Sequence, residues 1–295
     1  MNKIEKEMQG FSRYLGGKGF TLNSIRLYLS GVEMFMRNNR KAEQCTYKQV
    51  LDYFEELALR QVSIAMRQNM LMQIKKYFDY LLETGRREDH PCPMLNIAGR
   101  KNKGVIHTDL FTSAELDLLL DIEAMAPRFK LKNQAMASLL IYQGAMPGEI
   151  ARMKVSDIDL DAGTVFITGG RVLTSRKLEL RPNQYRIMDK YLSEAREQIR
   201  MHDMEHLIIN FHGKPMQVYD FNYFTGLCKA LFPGRNLTTK TIRDSVISNW
   251  LNENKIPLDQ VQLMAGHRWI SCTQRYEETS IEEQREMLRK FHPLG

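Results

Sequence analysis

Apolar residues return every three or four positions through the first ~85 residues, the spacing of helices buried along one face. Ile4, Met8, Phe11 and Leu15 form the first stripe, which Gly16, Gly17 and Gly19 interrupt. Thr21 is placed to cap a second helix carrying Ile25, Tyr28, Val32 and Phe35. A third helix begins near Thr46 with Val50, Phe54 and Leu57. A fourth follows Ser63 with Met70, Ile74, Phe78 and Leu81, and stops near Gly85. Arg86 and Arg87 come next, where the helix dipole favours cations. The methionine and aromatic stripes read as core.

The periodicity lapses at His90–Thr108, which holds two prolines, two glycines and the basic cluster Arg100, Lys101 and Lys103. That composition predicts a linker, with a helical domain over 1–90, the linker over 91–110 and a second domain over 111–295. Thr112 and Glu115 form a T-x-x-E capping box at its start. Helices are expected around Ala114–Met125 and Asn133–Gln143. Alternation at Val165, Ile167, Leu178 and Leu180 around a Gly-rich turn predicts a small antiparallel sheet. The remainder, from Asn183 to Phe291, reads as mostly helical, with the apolar Leu207–Phe211 segment as a candidate strand. The fold class is therefore mainly α, with a small antiparallel sheet in the second domain.

Length agrees with two domains, since 295 residues exceed what one core ordinarily serves. No apolar run approaches the ~18–20 residues of a membrane span, and the charged N-terminus lacks a signal-peptide core, so a cytoplasmic protein is expected. The four cysteines are scattered without a C-x-x-C, which supports neither a disulfide framework nor zinc. There is no P-loop or G-x-G-x-x-G, so nucleotides have no visible cradle. The net charge of +7 is unevenly spread. Eighteen basic residues face eleven acidic ones through Thr108, and twenty-four of each follow. A basic N-terminal third suits a polyanion partner.

The specific signal lies near the C-terminus, in LTTKTIRDSVISNWL and then LMAGHRWISCTQRYEET. These segments resemble the tyrosine recombinase (phage integrase) family, whose signature is H-x-x-R on a helix, then L-G-H, then a tyrosine nine residues later. Arg243, Gly266-His267 and Tyr276 match it with that interval intact. Upstream, QGAMPGEIARMKVSDIDLDAGTVFITG is similar to the family's T-G-L-R-x-S-E-L block, with Glu149 at its acidic position. The first four helices resemble its core-binding (SAM-like) domain. The resemblance covers nearly the whole chain. It implies a tyrosine recombinase catalytic domain that clamps duplex DNA together with the helical domain, with Tyr276 as nucleophile. It also implies a 3′-phosphotyrosyl intermediate with no metal, ATP or other cofactor, a homo-tetramer on DNA, and accessory DNA-bending proteins as candidate partners. Phosphates would meet Arg100, Lys101 and Lys103.

The required chemistry accounts for the matched residue types. Attack on a phosphodiester gathers negative charge on non-bridging oxygens, which arginine's planar fork of donors stabilises. Free tyrosine, with a pKa of ~10, needs positive charge or a base nearby. This chain departs from the pattern where that help is expected. Met146 stands at the first arginine, reading as a core methionine. Thr174 or Leu173 stands at the hairpin lysine, and Lys240 at the H-x-x-R histidine. Asp244 stands at the position after that motif's arginine, where a solvated i,i+4 pair with Lys240 is an alternative to a site role. Losing one preorganised donor typically costs ~10²–10³ in rate. Arg171, near the hairpin tip, is the candidate substitute, with Arg176 or Lys177 serving if the register slips. The expected site is thus Tyr276, Arg243, His267, Lys240 and Arg171. Site-specific recombination or integration, as in a phage or mobile element, is the leading reading. The alternatives are a catalytically impaired DNA-binding relative and a type IB topoisomerase-like nicking and religating enzyme.

Overall fold

The structure is a computed structural model that describes residues 3–39, 41–99, 110–201 and 204–277. Its contacts divide the chain into two units, Met1–Lys103 and Gly104–Gly295. Arg100, Lys101 and Lys103, and the chain beyond Glu277, lie outside the described residues. No helix among the described residues is long and apolar enough to cross a membrane.

Among the described residues, four α-helices build the first unit: α1 (Lys3–Gly17), α2 (Leu22–Asn38), α3 (Tyr47–Leu59) and α4 (Ile64–Glu83). Their starts follow from the residues just ahead of them. The hydroxyls of Thr21, Thr46 and Ser63 accept from the N–H groups of Ser24, Gln49 and Met66, satisfying donors that a helix start leaves free. The stripes close into one core around Phe11, Val32, Phe35, Val50, Ile74 and Phe78. Arg86 and Arg87 are tied into this unit. Arg86 forks onto Glu7 of α1 at 2.7 and 2.9 Å, and Arg87 donates to the carbonyls of Glu43 and Cys45.

The second unit opens at the Thr112–Glu115 capping box, with reciprocal bonds of 2.8 and 3.3 Å. Helix α5 (Ser113–Asp117) is shorter than expected, because a tight turn at Leu118–Leu120 follows and buries Leu119 and Leu120. Helix α6 (Pro127–Tyr142) starts earlier than expected. Proline suits a first helical position and forces Ala126 into extended backbone at φ −151°. After the one-turn α7 (Pro147–Ile150) comes a three-stranded antiparallel sheet, β1 (Ile158–Asp159), β2 (Thr164–Ile167) and β3 (Arg176–Glu179), in that order.

Helix α8 (Pro182–Lys190) runs through a wider turn at Tyr191–Ala195 into α9 (Arg196–Ile199). The Leu207–Phe211 segment makes an isolated bridge of Ile209 with Pro215, next to one of His206 with Lys154, and forms no strand. Buried Leu207, Ile208 and Ile209 pack into the core instead of alternating. Then come α10 (Val218–Cys228), α11 (Thr239–Ser248), α12 (Leu258–Ala265) and α13 (Ser271–Gln274). Central α6, with Met136, Leu139 and Leu140 fully buried, anchors a core that reaches Ile167, Ile242 and Tyr276.

Candidate active site

Helix α11 carries Lys240 and, one turn on, Arg243 and Asp244, and Thr238 fixes its start by accepting from Thr241 N–H at 3.1 Å. Arg243 is 8% exposed and donates to the carbonyls of Gly144 and, at 2.7 Å, of Ala265. Those carbonyls belong to the C-terminal ends of α6 and α12, where unpaired oxygens attract cations. Gly144 and Gly266 turn the chain there with φ of +55° and +68°, backbone that favours glycine. Burial, followed by the charge of Arg176, depresses the Arg243 guanidinium below its ordinary value.

The β2–β3 hairpin brings a second arginine. Ile167 pairs with Arg176 and Phe166 with Lys177. Directly paired residues share a face, so Arg176 joins buried Ile167 while Lys177 sits with exposed Phe166. Arg176 forks onto Glu149 of α7 at 2.6 and 3.0 Å, both side chains being 4% exposed. Burial alone would raise the Glu149 carboxyl. The Arg176 bonds and charge, the Met146 N–H and the Arg243 charge carry it below its ordinary value. The Nε of Arg176 is buried without a hydrogen-bond partner. The hairpin is pinned to the G-H turn by Thr174 N–H donating to Gly266 O at 2.9 Å and by a bridge between Leu173 and His267.

Arg243 and Arg176 therefore flank Ala265–Gly266 from α11 and β3. Arg171, the expected substitute, is exposed in the hairpin turn. Thr174 is also exposed. Met146 is not a core residue. It precedes the first turn of α7 and is 43% exposed, with Glu149 accepting from its N–H at 2.8 Å.

Tyr276 follows α13 and is 6% exposed. Its hydroxyl donates to Asp244 Oδ1 at 2.7 Å, and Lys240 Nζ donates to Asp244 Oδ2 at 2.5 Å. Burial, then the bond to Asp244 and its charge, hold the phenol far above its ordinary value. The His267 ring lies nearly parallel to that of Tyr276, with centroids 6.2 Å apart, and its Nδ1 meets Thr273 Oγ1 at 2.9 Å. Burial, then the charges of Arg243, Arg176 and Arg275, push the imidazole down to about 4. It is neutral at pH 7 and serves the resting site as a hydrogen-bond donor or acceptor rather than a cation.

Proton NMR of the free protein is therefore expected to show no His267 titration between pH 7 and 5. An unfolded histidine would protonate near pH 6.5, so this group's contribution to stability declines as pH falls from there towards 4. A midpoint near 6.5 in the folded protein would refute the buried, arginine-flanked placement.

Sequence spacing missed two features of the site. Asp244 reads as half of a solvated i,i+4 pair with Lys240, yet it meets Tyr276 from 32 residues away. The carbonyls that hold Arg243 carry no side-chain signature. Arg176 did leave a signal: it shares strand parity with Leu178 and Leu180, the apolar face of β3.

These side chains converge in a domain that matches the phage integrase family over residues 110–283, and the chain belongs to that family. Its similar relatives are tyrosine recombinases, which cleave and rejoin DNA. The tyrosine recombinase XerD of Listeria monocytogenes serotype 4b is 24% identical over 285 residues, covering 94% of each chain. The tyrosine recombinase XerC of Oceanobacillus iheyensis is 23% identical over 309 residues, covering 99% of this chain and 98% of its own. Among solved structures, the Tn1549 transposon integrase in complex with a circular intermediate DNA shares the fold. Its TM-score is 0.70 at 12% identity, over 97% of this chain and 99% of that one. The XerH site-specific recombinase bound to difH substrate also reaches 0.70, at 17% identity over 90% and 79%.

Proposed function

We propose that this protein carries out site-specific DNA recombination through a 3′-phosphotyrosyl intermediate formed on Tyr276. The observation that carries the reading is the convergence of Tyr276, His267 and the two buried arginines Arg243 and Arg176 on one turn, Ala265–His267. In this reading the scissile phosphate meets Arg243 and Arg176, whose donors stabilise the charge that builds as the phenol attacks. Arg176, not Arg171, supplies the guanidinium missing at Met146, and its unpartnered Nε–H is the free donor. His267 contributes a hydrogen bond. The 5′ oxygen leaves as a hydroxyl that later reverses the step, so no external energy source is needed.

A suicide duplex that loses its 5′ fragment should trap a covalent adduct with the natural protein. Tyr276→Phe should abolish that adduct with little change in DNA affinity, since only one oxygen is removed. An adduct that survives would move the nucleophile elsewhere, with exposed Tyr219 and Tyr223 next to test. No adduct from the natural protein would favour the non-catalytic reading. Exchange between two duplexes separates recombination from topoisomerase-like religation, and the recombinase relatives favour exchange.

The basic N-terminal unit and Arg100, Lys101 and Lys103 bind phosphates in this reading, with tetramers assembling on DNA. Alanine at those three positions should flatten the salt dependence of binding, by roughly 0.9 in log–log slope for each phosphate left without its cation. An unchanged slope would exclude them.

A further inference from the structure

Asp244 stands where a solvated acid would be unremarked, yet it is 7% exposed and joins the Tyr276 hydroxyl to the Lys240 ammonium. Its Oδ1 accepts the Tyr276 hydroxyl at 2.7 Å, and its Oδ2 accepts Lys240 Nζ at 2.5 Å. The Lys240 side chain is 78% exposed, so the chain of hydrogen bonds leads from the buried phenol to the open face of the site. Arg243, one residue before Asp244, donates to carbonyls and leaves both carboxylate oxygens to these partners. His267 is the other titratable ring beside Tyr276, but its Nδ1 is engaged by Thr273 and its centroid lies 6.2 Å from that of the tyrosine.

We infer that Asp244 is a catalytic residue, the acceptor of the nucleophile's proton, and that Lys240 forwards that proton to the leaving group. The inference rests on Tyr276 being the nucleophile. As the Oη–P bond forms and the P–O5′ bond breaks, the phenolic proton passes to Asp244 Oδ1. The Lys240 ammonium gives a proton to the departing 5′ oxygen, and the amine left behind takes one from Asp244. Asp244 ends as a carboxylate and Lys240 as an ammonium, so one proton has moved from tyrosine to the 5′ hydroxyl and nothing else is consumed. Rejoining runs the same relay backwards, returning the proton to the phenol. This assigns an acid to a site that lacks the hairpin lysine, and a base to a phenol that burial keeps protonated.

The test uses full-length protein on two suicide duplexes, one with the natural 5′ oxygen and one with a bridging sulfur, a leaving group that needs no acid. Asp244→Asn keeps the shape and a hydrogen-bond acceptor but cannot take a proton, and should cleave both duplexes ~10²–10⁴ times more slowly. Lys240→Met should be slow on the oxygen duplex and recover to near the natural rate on the sulfur one. Asp244→Glu should restore part of what Asn loses. DNA affinity and melting temperature, measured alongside, identify any variant that has misfolded, and Asp244→Glu then carries the comparison. Asp244→Asn cleaving at the natural rate or faster would overturn the proposal and make the hydrogen bond a latch. Recovery of Asp244→Asn by sulfur would also overturn its role as base. If Tyr276→Phe still forms adduct, the nucleophile assignment has failed instead, a result these variants do not produce.

Discussion

Replacing Glu149 by leucine, or Arg176 by methionine, is expected to cost about 3–5 kcal/mol of stability, because each leaves a buried charge without its partner. Both side chains are 4% exposed and joined by two bonds. The double variant, Glu149→Leu with Arg176→Met, should regain most of that loss. A deficit of ~1 kcal/mol should remain from the uncapped start of α7, where Glu149 accepts from Met146 N–H. Urea unfolding of the four proteins gives the coupling energy directly. Adduct formation should not recover with stability, because the double variant lacks the guanidinium that the proposed reading sets beside the phosphate. A stable double variant that cleaves normally would show the pair to be scaffolding alone.

The second large effect is expected at Gly266, where alanine meets three penalties together. Its φ of +68° disfavours a side chain by ~1–2 kcal/mol. A β-carbon would fall 2.8 Å from Arg176 Nη1 and 2.9 Å from the Thr174 carbonyl oxygen, an overlap worth about 1–3 kcal/mol. Relief of that overlap pushes the hairpin away from His267. A displacement near 1 Å costs on the order of 10²-fold in rate, so cleavage should fall by at least that much in protein that remains folded. Gly16→Ala is the control. That glycine lies inside α1 with nothing near its β-carbon, so alanine should stabilise by ~0.5–1 kcal/mol and leave cleavage unchanged. Unimpaired cleavage by Gly266→Ala would mean that the hairpin tolerates displacement.

The parts of this molecule legible in its sequence are those governed by local rules. Helix starts at Thr21, Thr46, Ser63 and Thr112 follow from a hydroxyl placed before an amphipathic stripe. The hairpin follows from alternation at Val165, Ile167, Leu178 and Leu180 around glycines. Continuous apolar runs are less informative. Leu207–Ile209 is buried throughout, and periodicity does not separate such a run from a strand.

Within the site, fixed spacing on α11 and from His267 to Tyr276 reveals the candidate residues. What joins them is not readable, because it depends on long-range approach. Asp244 meets Tyr276 only after α12 and α13 fold back across α11, and Arg243 is held by backbone oxygens that every residue type possesses. Choosing Arg171 over Arg176 follows from counting positions from the hairpin tip. Strand parity instead puts Arg176 beside Ile167, on the buried face of the hairpin.

The way Arg243 is held has a thermodynamic consequence. Its hydrogen-bonded carbonyls are dipoles without net charge, Glu149 is matched by Arg176, and Asp244 by Lys240. Among these described groups, the folded site without DNA thus confines one cation more than it has anions to match, against the cost of desolvation. In the proposed reading a phosphodiester supplies that counter-charge, and it would bind the folded chain far better than an unfolded one. Target occupancy and folding are consequently linked equilibria, each strengthening the other. Sulfate or inorganic phosphate, offering the same oxygens without a sequence, should raise the melting temperature in proportion to the logarithm of concentration once the site is saturated.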